Sequence, residues 1–272
     1  MSRIISDYHL HSISPDARVP MEDMCRAALA AGLTEIAVTD HMEIYDADYT
    51  GKEPLMFSES YLDNYFTQWE YCQKLFAGKL TVRRGMELGQ PICNMERADY
   101  IIANRGFDYI IGSIHKLYSV DLAYKRYSER TNDEILRKNL QMLYELADAG
   151  DFDCLGHIDL IKRYAARQGQ RVSMMTRRDE TARVLKRLIE RGKGIELNTS
   201  GLRQGLGETL PGSDILKLYR ELGGELLVVG SDAHRACDVG ADFDEARRVI
   251  LSAGFTKLAL YKNRVPTFYS IA

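Results

Sequence analysis

Phe107–His115 reads FDYIIGSIH, an apolar run of strand length that turns polar and ends on a histidine. The same order recurs in Arg3–His11 (RIISDYHLH), Glu35–His41 (EIAVTDH), Phe152–His157 (FDCLGH) and Leu226–His234 (LLVVGSDAH). Leu80–Gly89 (LTVRRGMELG) places Glu87 at the equivalent point. Short apolar runs bounded by turn residues read as buried strands. All six histidines of the chain, His9, His11, His41, His115, His157 and His234, close such a run or lie just past it.

Helical stretches alternate with these runs. The strands are predicted over Ile4–Tyr8, Glu35–Val38, Leu80–Arg84, Asp108–Ile111, Phe152–Leu155, Gly194–Leu197 and Leu226–Val229. Between them fall Met21–Gly32, Glu59–Gly78 with Ser58 as its cap, Met95–Asn104, Asn132–Gly150, Thr176–Gly192, Asp214–Gly224 and Asp242–Gly254. Gly32 suits the residue just past a helix end, and Pro211 is placed in the opening of its helix, where proline is tolerated. Val184, Leu185, Leu188 and Ile189 recur at helical spacing. TKLALY (Thr256–Tyr261) is strand-like and leads into a short tail. Seven β/α repeats are the pattern of a parallel barrel with a helical coat. No linker or composition shift divides residues 1–272, so a single domain is expected. The Tyr-rich excursion Lys116–Thr131 is expected to lie over one rim, with Tyr118, Tyr124 and Tyr127 packing over helix ends rather than walling a pocket.

Composition narrows the function classes. At 272 residues, 45% hydrophobic and 28% charged, the chain is long enough to bury its own core. A net charge of −3 argues against a nucleic-acid surface, which needs clustered positive charge. Cys25, Cys72, Cys93, Cys154 and Cys237 are scattered and odd in number, as expected of reduced core thiols in a cytoplasmic protein. No signal-peptide pattern precedes the first strand, and no apolar run approaches the ~20 residues that span a bilayer.

Imidazole and carboxylate are ligands of zinc, iron and manganese. One histidine at a strand end is ordinarily structural; six at matching positions imply a multinuclear metal site built for hydrolysis. Barrel enzymes carry their sites at the C-terminal strand ends, where such residues converge. His9 and His11 are two apart and share a strand face; the same spacing relates Asp232 and His234. Asp16, in the polar loop Ser12–Arg18, can fold back to that rim. Asp7, Asp40, Glu43 and Asp159 adjoin these residues and are expected to take the second imidazole N–H.

Taken together, DYHLH (7–11), TDHME (39–43), GMELG (85–89), FDYIIGSIHKL (107–117), GHIDLIKRY (156–164), ELNTSGLR (196–203) and GSDAH (230–234) resemble the polymerase-and-histidinol-phosphatase (PHP) superfamily. GSIH followed by GHIDLIKRY and ELNTSGLR is most similar to its histidinol-phosphatase branch. The resemblance implies a distorted (β/α)7 barrel holding three divalent ions of zinc, iron or manganese. By motif, His9, His11, Glu87 and Asp232 would hold one ion. Glu87 would bridge to a second, on His115 and His157. Asp16, His41 and His234 would hold the third.

The resemblance further implies a phosphoric monoester hydrolase, with L-histidinol phosphate, a metabolite of histidine biosynthesis, as substrate. A metal-bridging hydroxide would attack phosphorus, and a metal-bound water, protonated Asp232 or His234 would protonate the leaving group. Arg163, Arg203 and Lys116 are the candidate phosphate contacts, arginine being suited to bidentate binding. Glu43 or Asp46 would meet the substrate's cationic end. Two alternatives stand beside this: a phosphodiesterase or exonuclease, and a phosphatase for another small metabolite. The expected partner is a small phosphorylated metabolite, with neither nucleic acid nor membrane.

Overall fold

Each apolar run becomes a strand of one parallel sheet. The computed structural model describes residues 3–13, 16–45, 59–118 and 120–272. In chain order the elements are β1 (Ser6–Leu10), α1 (Met21–Ala30), β2 (Glu35–Val38), β3 (His41–Glu43), α2 (Glu59–Leu75), β4 (Thr81–Gly89), α3 (Met95–Arg105) and β5 (Tyr109–Ser113). Then follow β6 (Lys116–Leu117), β7 (Val120–Asp121), α4 (Asn132–Ala149), β8 (Cys154–Leu155), α5 (Ile161–Arg167), α6 (Arg178–Glu190) and β9 (Gly194–Asn198). The chain ends with α7 (Ser200–Arg203), α8 (Ser213–Glu221), β10 (Leu227–Gly230), α9 (Phe243–Ser252), β11 (Lys257–Lys262) and β12 (Val265–Ser270).

The sheet runs β1-β2-β4-β5-β8-β9-β10, and β3 extends it beside the end of β4. A parallel bridge between Leu10 and Ala233 joins the last segment to the first. His11 N donates to Ala233 O (2.9 Å) and Asp232 N to His9 O (2.7 Å), so the sheet nearly closes as a distorted (β/α)7 barrel. Every residue of β1, β2, β5, β8, β9 and β10 is buried, because helices cover the outer face and the strands cover one another within. The helical coat packs through amphipathic faces such as Val184, Leu185 and Leu188 of α6. No described helix is long and apolar enough to cross a membrane.

Inside the barrel, Tyr8, Ala37, Tyr109, Ile111, Cys154 and Val228 meet Ala259 and Tyr261 of β11. The antiparallel hairpin β11–β12 thereby closes the N-terminal end. Tyr261 N donates to Tyr8 Oη (2.7 Å), and the Tyr109 ring lies 5.0 Å from both the Tyr8 and the Tyr261 rings. The hairpin turn is held from below: Asn263 N donates to Asp108 Oδ1 (3.0 Å), and the Arg264 guanidinium reaches Asp153 (2.7 Å) and Asp151 (2.8 Å).

Several expectations need correction. The first strand is Ser6–Leu10 rather than Ile4–Tyr8, so His9 lies within it. The third predicted strand continues to Gly89, so Glu87 also lies within a strand. Pro211 precedes its helix instead of opening it: α8 starts at Ser213, and the Gly212 amide is taken by Asp159 Oδ2 (3.1 Å). The supposed C-terminal tail is β12, and IKRY of GHIDLIKRY is helical. Of the three excursion tyrosines only Tyr127 is buried; Tyr118 and Tyr124 are 60% and 84% exposed. All five cysteines are free thiols, but Cys93 is half-buried and Cys237 exposed, so neither is a core residue. Ser58 and Asp46 lie outside the described residues.

Candidate metal centre

Glu87 is the hub of the C-terminal rim. Its strand β4 pairs with β3 on one side and β5 on the other, with Glu87 level with His41 and Ile111. The register carries a fully buried carboxylate into the middle of the rim. Glu87 Oε1 accepts from Ser113 Oγ (2.7 Å) and lies 3.0 Å from His115 Nε2 and 2.9 Å from His157 Nε2. Glu87 Oε2 lies 3.3 Å from His9 Nε2, 3.7 Å from His11 Nε2 and 2.8 Å from His41 Nδ1. Five of the six histidines thus face one carboxylate.

The sixth, His234, closes the ring on the open side. Its Nε2 is 3.0 Å from Asp16 Oδ2 and its Nδ1 is 3.5 Å from Asp232 Oδ1, and its ring lies 4.2 Å from that of His11. Asp232 also faces His11 Nε2 at 3.5 Å and His9 Nε2 at 3.9 Å. Asp232 and His234 do not share a strand face, as their spacing suggested, because β10 ends at Gly230 and Asp232 takes a left-handed conformation (φ 54°). Past the strand end, this turn brings both side chains to the rim beside His11. Among the described residues, four groups offer three donor atoms within 4.8 Å of one another: His11, His41 and His234; His9, Glu87 and His157; His9, His11 and Asp232; His41, Glu43 and His115.

The electrostatics are those of a charge cluster out of water. Burial opposes ionisation of Glu87, but His41, His9 and His115 hold its carboxyl well below the usual range. Burial likewise resists charge on His115, and Glu43 and Glu87 push its imidazole well up. Glu43 is brought down to about 2 by His115 and Lys116 despite its burial. Burial, together with His234 and His41, drives His11 well below the ordinary imidazole value. His9 Nε2 and Glu87 Oε2 are buried and have no hydrogen-bond partner, although they face each other. Unsatisfied buried donors and acceptors of this kind are expensive in a native fold unless something binds between them. Nitrogen and carboxylate oxygen in this proportion suit zinc, iron or manganese.

The carboxylates behind the rim are only partly those expected. Glu43 does meet the imidazole of His115 through its Nδ1, and Gly89 leaves the room: a Cβ there would sit 2.0 Å from Glu43 Oε1. Asp7 instead accepts from the backbone amides of Ser231 (2.9 Å) and Gly240 (3.0 Å), fastening the loop that carries Asp232. Asp159 holds Gly212 N and Lys162 Nζ (3.1 Å for each). Asp40 accepts from the Ser12 amide (2.6 Å) and hydroxyl (2.7 Å). Sequence reasoning missed Glu196, whose Oε1 is 2.7 Å from His9 Nδ1. It also missed Gln90, which accepts from His115 N (2.6 Å). An acid inside the apolar run GIELN was the available signal for Glu196.

A cavity of about 890 Å³ opens above the hub, lined among others by Arg163, Tyr164, Arg167, Lys116, Asp121, Arg203 and Arg235. Arg163 comes from α5, is buried, and donates to Ser200 Oγ, with Asp232 Oδ2 at 3.5 Å; its Nε has no partner. Arg203 donates to Ser231 O (2.6 Å) and Thr199 Oγ1 (3.2 Å), so it also braces the Asp232 turn. Lys116 lies 3.2 Å from Glu43 Oε2 and over the Tyr45 ring.

Residues 7–200 match the family described as PHP domain. The chain is 27% identical over 259 residues to the histidinol-phosphatase of Lactococcus lactis subsp. lactis, covering 94% of this chain and 93% of that protein. It is 30% identical over 250 residues to a probable histidinol-phosphatase of Clostridium acetobutylicum, covering 90% and 92%. Among solved structures it resembles the Lactococcus lactis histidinol phosphate phosphatase complexed with zinc, L-histidinol and phosphate, with a TM-score of 0.79, 25% identity and coverage of 96% and 98%. The Listeria monocytogenes counterpart, at 20% identity and a TM-score of 0.76, shares the fold.

Proposed function

This chain belongs to the PHP domain family, and on that premise we propose that it hydrolyses L-histidinol phosphate to L-histidinol and inorganic phosphate. The observation that carries the proposal is the Glu87 hub: five imidazoles around one buried carboxylate, at the base of a cavity that a buried arginine lines. Its substrate rests on the relative of nearly equal length solved with zinc, L-histidinol and phosphate.

His9, His11, Asp16, His41, Glu87, His115, His157, Asp232 and His234 would hold three divalent ions. Such ions supply an activated water nucleophile and neutralise phosphoryl charge. The chain's own residues do the rest. Arg163 lines the cavity with its guanidinium oriented by Ser200 and would offer its remaining N–H groups to the phosphate. Lys116 and Arg203 add positive charge at the wall, each while bonded to protein oxygen. Asp232 and His234 stand beside the cavity, where a proton must reach the leaving alkoxide. Burial, outweighed by His9, His11 and His234, leaves Asp232 ionised. His234 is pushed up to about 9 by Asp16 and Asp232 against its burial, so in this arrangement it is the group that carries a proton. An imidazole that ligates must be neutral; His234 can therefore be ligand or proton donor in a given state, never both.

The test is phosphate release from a panel of phosphorylated metabolites and a dinucleotide, with manganese, zinc and iron supplied separately. Histidinol phosphate should be turned over with the highest kcat/KM. Preference for the dinucleotide or for another monoester would overturn the assignment.

A further inference from the structure

Glu196 is fully buried on β9 and is not part of the cavity wall. Three donor groups converge on its carboxylate. His9 Nδ1 lies 2.7 Å from Oε1, His157 N donates to Oε2 at 2.9 Å, and the Asn198 amide nitrogen lies 3.3 and 3.2 Å from the two oxygens. The barrel makes space for this contact at Gly230 on the neighbouring strand, where a Cβ would lie 2.1 Å from Glu196 Oε1 and 2.3 Å from His9 Cβ. No side chain larger than hydrogen fits there without separating the pair.

From this geometry, and resting on the metal reading above, we propose that Glu196 is a positioning residue that fixes which nitrogen His9 presents to the rim. A carboxylate accepts and does not donate, so the ring nitrogen facing it carries the hydrogen. That leaves the lone pair of the neutral ring on Nε2, the buried atom without a hydrogen-bond partner that faces Glu87 and Asp232. His9 belongs to two of the donor groups, one with Glu87 and His157 and one with His11 and Asp232. Through Oε2 the same carboxylate holds the backbone at His157. Glu196 therefore sets two neighbouring cation positions at once without touching either.

A glutamine cannot replace it. One end of the amide is a donor, so either His9 Nδ1–H or His157 N–H would lose its acceptor. Glu196→Gln should bind zinc or manganese about 10–100-fold more weakly, the range found when an outer partner of a metal-bound histidine is lost. The experiment is a chelator-competition titration of the full chain with zinc alone, paired with kcat and KM at saturating metal. The expected result is a loss of metal affinity, a kcat that returns as metal is raised, and an unchanged KM. Glu196→Gln that folds and binds zinc as the parent does overturns the inference; a parent protein that binds no divalent ion overturns the metal reading and the inference with it. Should the variant not fold, the zinc-loaded parent decides by its histidine side-chain nitrogen–proton NMR spectrum. A hydrogen on His9 Nδ1 supports the role, and one on Nε2 refutes it.

Discussion

The two ends of the barrel are both rich in buried ionisable groups, yet they are built to opposite ends. On the floor, Glu35 receives the Tyr8 hydroxyl and a two-pronged Arg83 guanidinium (3.0 and 2.9 Å), and Arg264 does the same for Asp153 and Asp151. On the rim, imidazoles crowd a carboxylate, and His9 Nε2 and Glu87 Oε2 make no well-formed hydrogen bond although charged groups stand within 2.8–3.3 Å of them. Paired donors and acceptors stabilise a fold; unpaired ones reserve a place for a ligand. The same sheet thus carries a stabilising end and a chemical end. For the buried charged groups, the difference lies in hydrogen-bond satisfaction and not in charge content.

The strongest way to break this comparison is to remove a rim residue. His115→Ala or Asp232→Ala should lower kcat about 100- to 1000-fold, as loss of a principal electrostatic element does, and should lower bound metal, read by elemental analysis. Either variant retaining full activity would remove that residue from the site. The floor should respond differently. Tyr261→Ala, which empties the plug, should destabilise by about 3–5 kcal/mol in urea unfolding while kcat per folded molecule stays the same. A matching loss of kcat would mean that the two ends are coupled.

Metal removal sharpens the contrast at lower amplitude. With zinc at a hundredfold excess over the Kd of each site, chelation should reduce stability by about 2.7 kcal/mol for each ion removed; an unchanged Tm on chelation would show that the rim holds nothing. Arg203→Ala should raise KM and, because Arg203 also grips the Ser231 carbonyl beside Asp232, lower metal affinity too. A KM effect alone would show that the brace is dispensable. Least of all should follow from Tyr124→Ala, at an 84% exposed site: stability within about 0.5 kcal/mol and an unaltered KM. A larger KM change would bring Tyr124 to the substrate, beside Lys116 and Asp121 of the same excursion, which already line the cavity.

Much of the fold was legible because it rests on local pattern. Apolar runs ending on histidine marked the strands, helical periodicity marked α6, and Gly32 marked the end of α1, with boundaries within a few residues. Elements whose residues carry no such contrast were not legible. IKRY of α5 is short and mostly covered, leaving no polar face to set a period. In β12, VPTFYS mixes a proline with exposed apolar residues and looks like loose chain until β11 pairs with it.

At the site, residue type and strand-end position pointed to the six histidines and Glu87; Asp232 came from its spacing to His234, Asp16 from a polar loop, and the nine as one ligand set only from the family resemblance. What the local pattern could not supply were partners. Glu196 meets His9 across 187 positions of chain, and Asp7, though only two residues before His9, turns to the amides of Ser231 and Gly240. Sequence alone determined the barrel and the kinds of donor at its rim, because periodicity and side-chain chemistry are properties of short segments. Only the closed sheet decided which carboxylate faces which imidazole and which atoms are left unsatisfied. Those contacts depend on strand register, on the left-handed turn at Asp232, and on the absence of a side chain at Gly89 and Gly230.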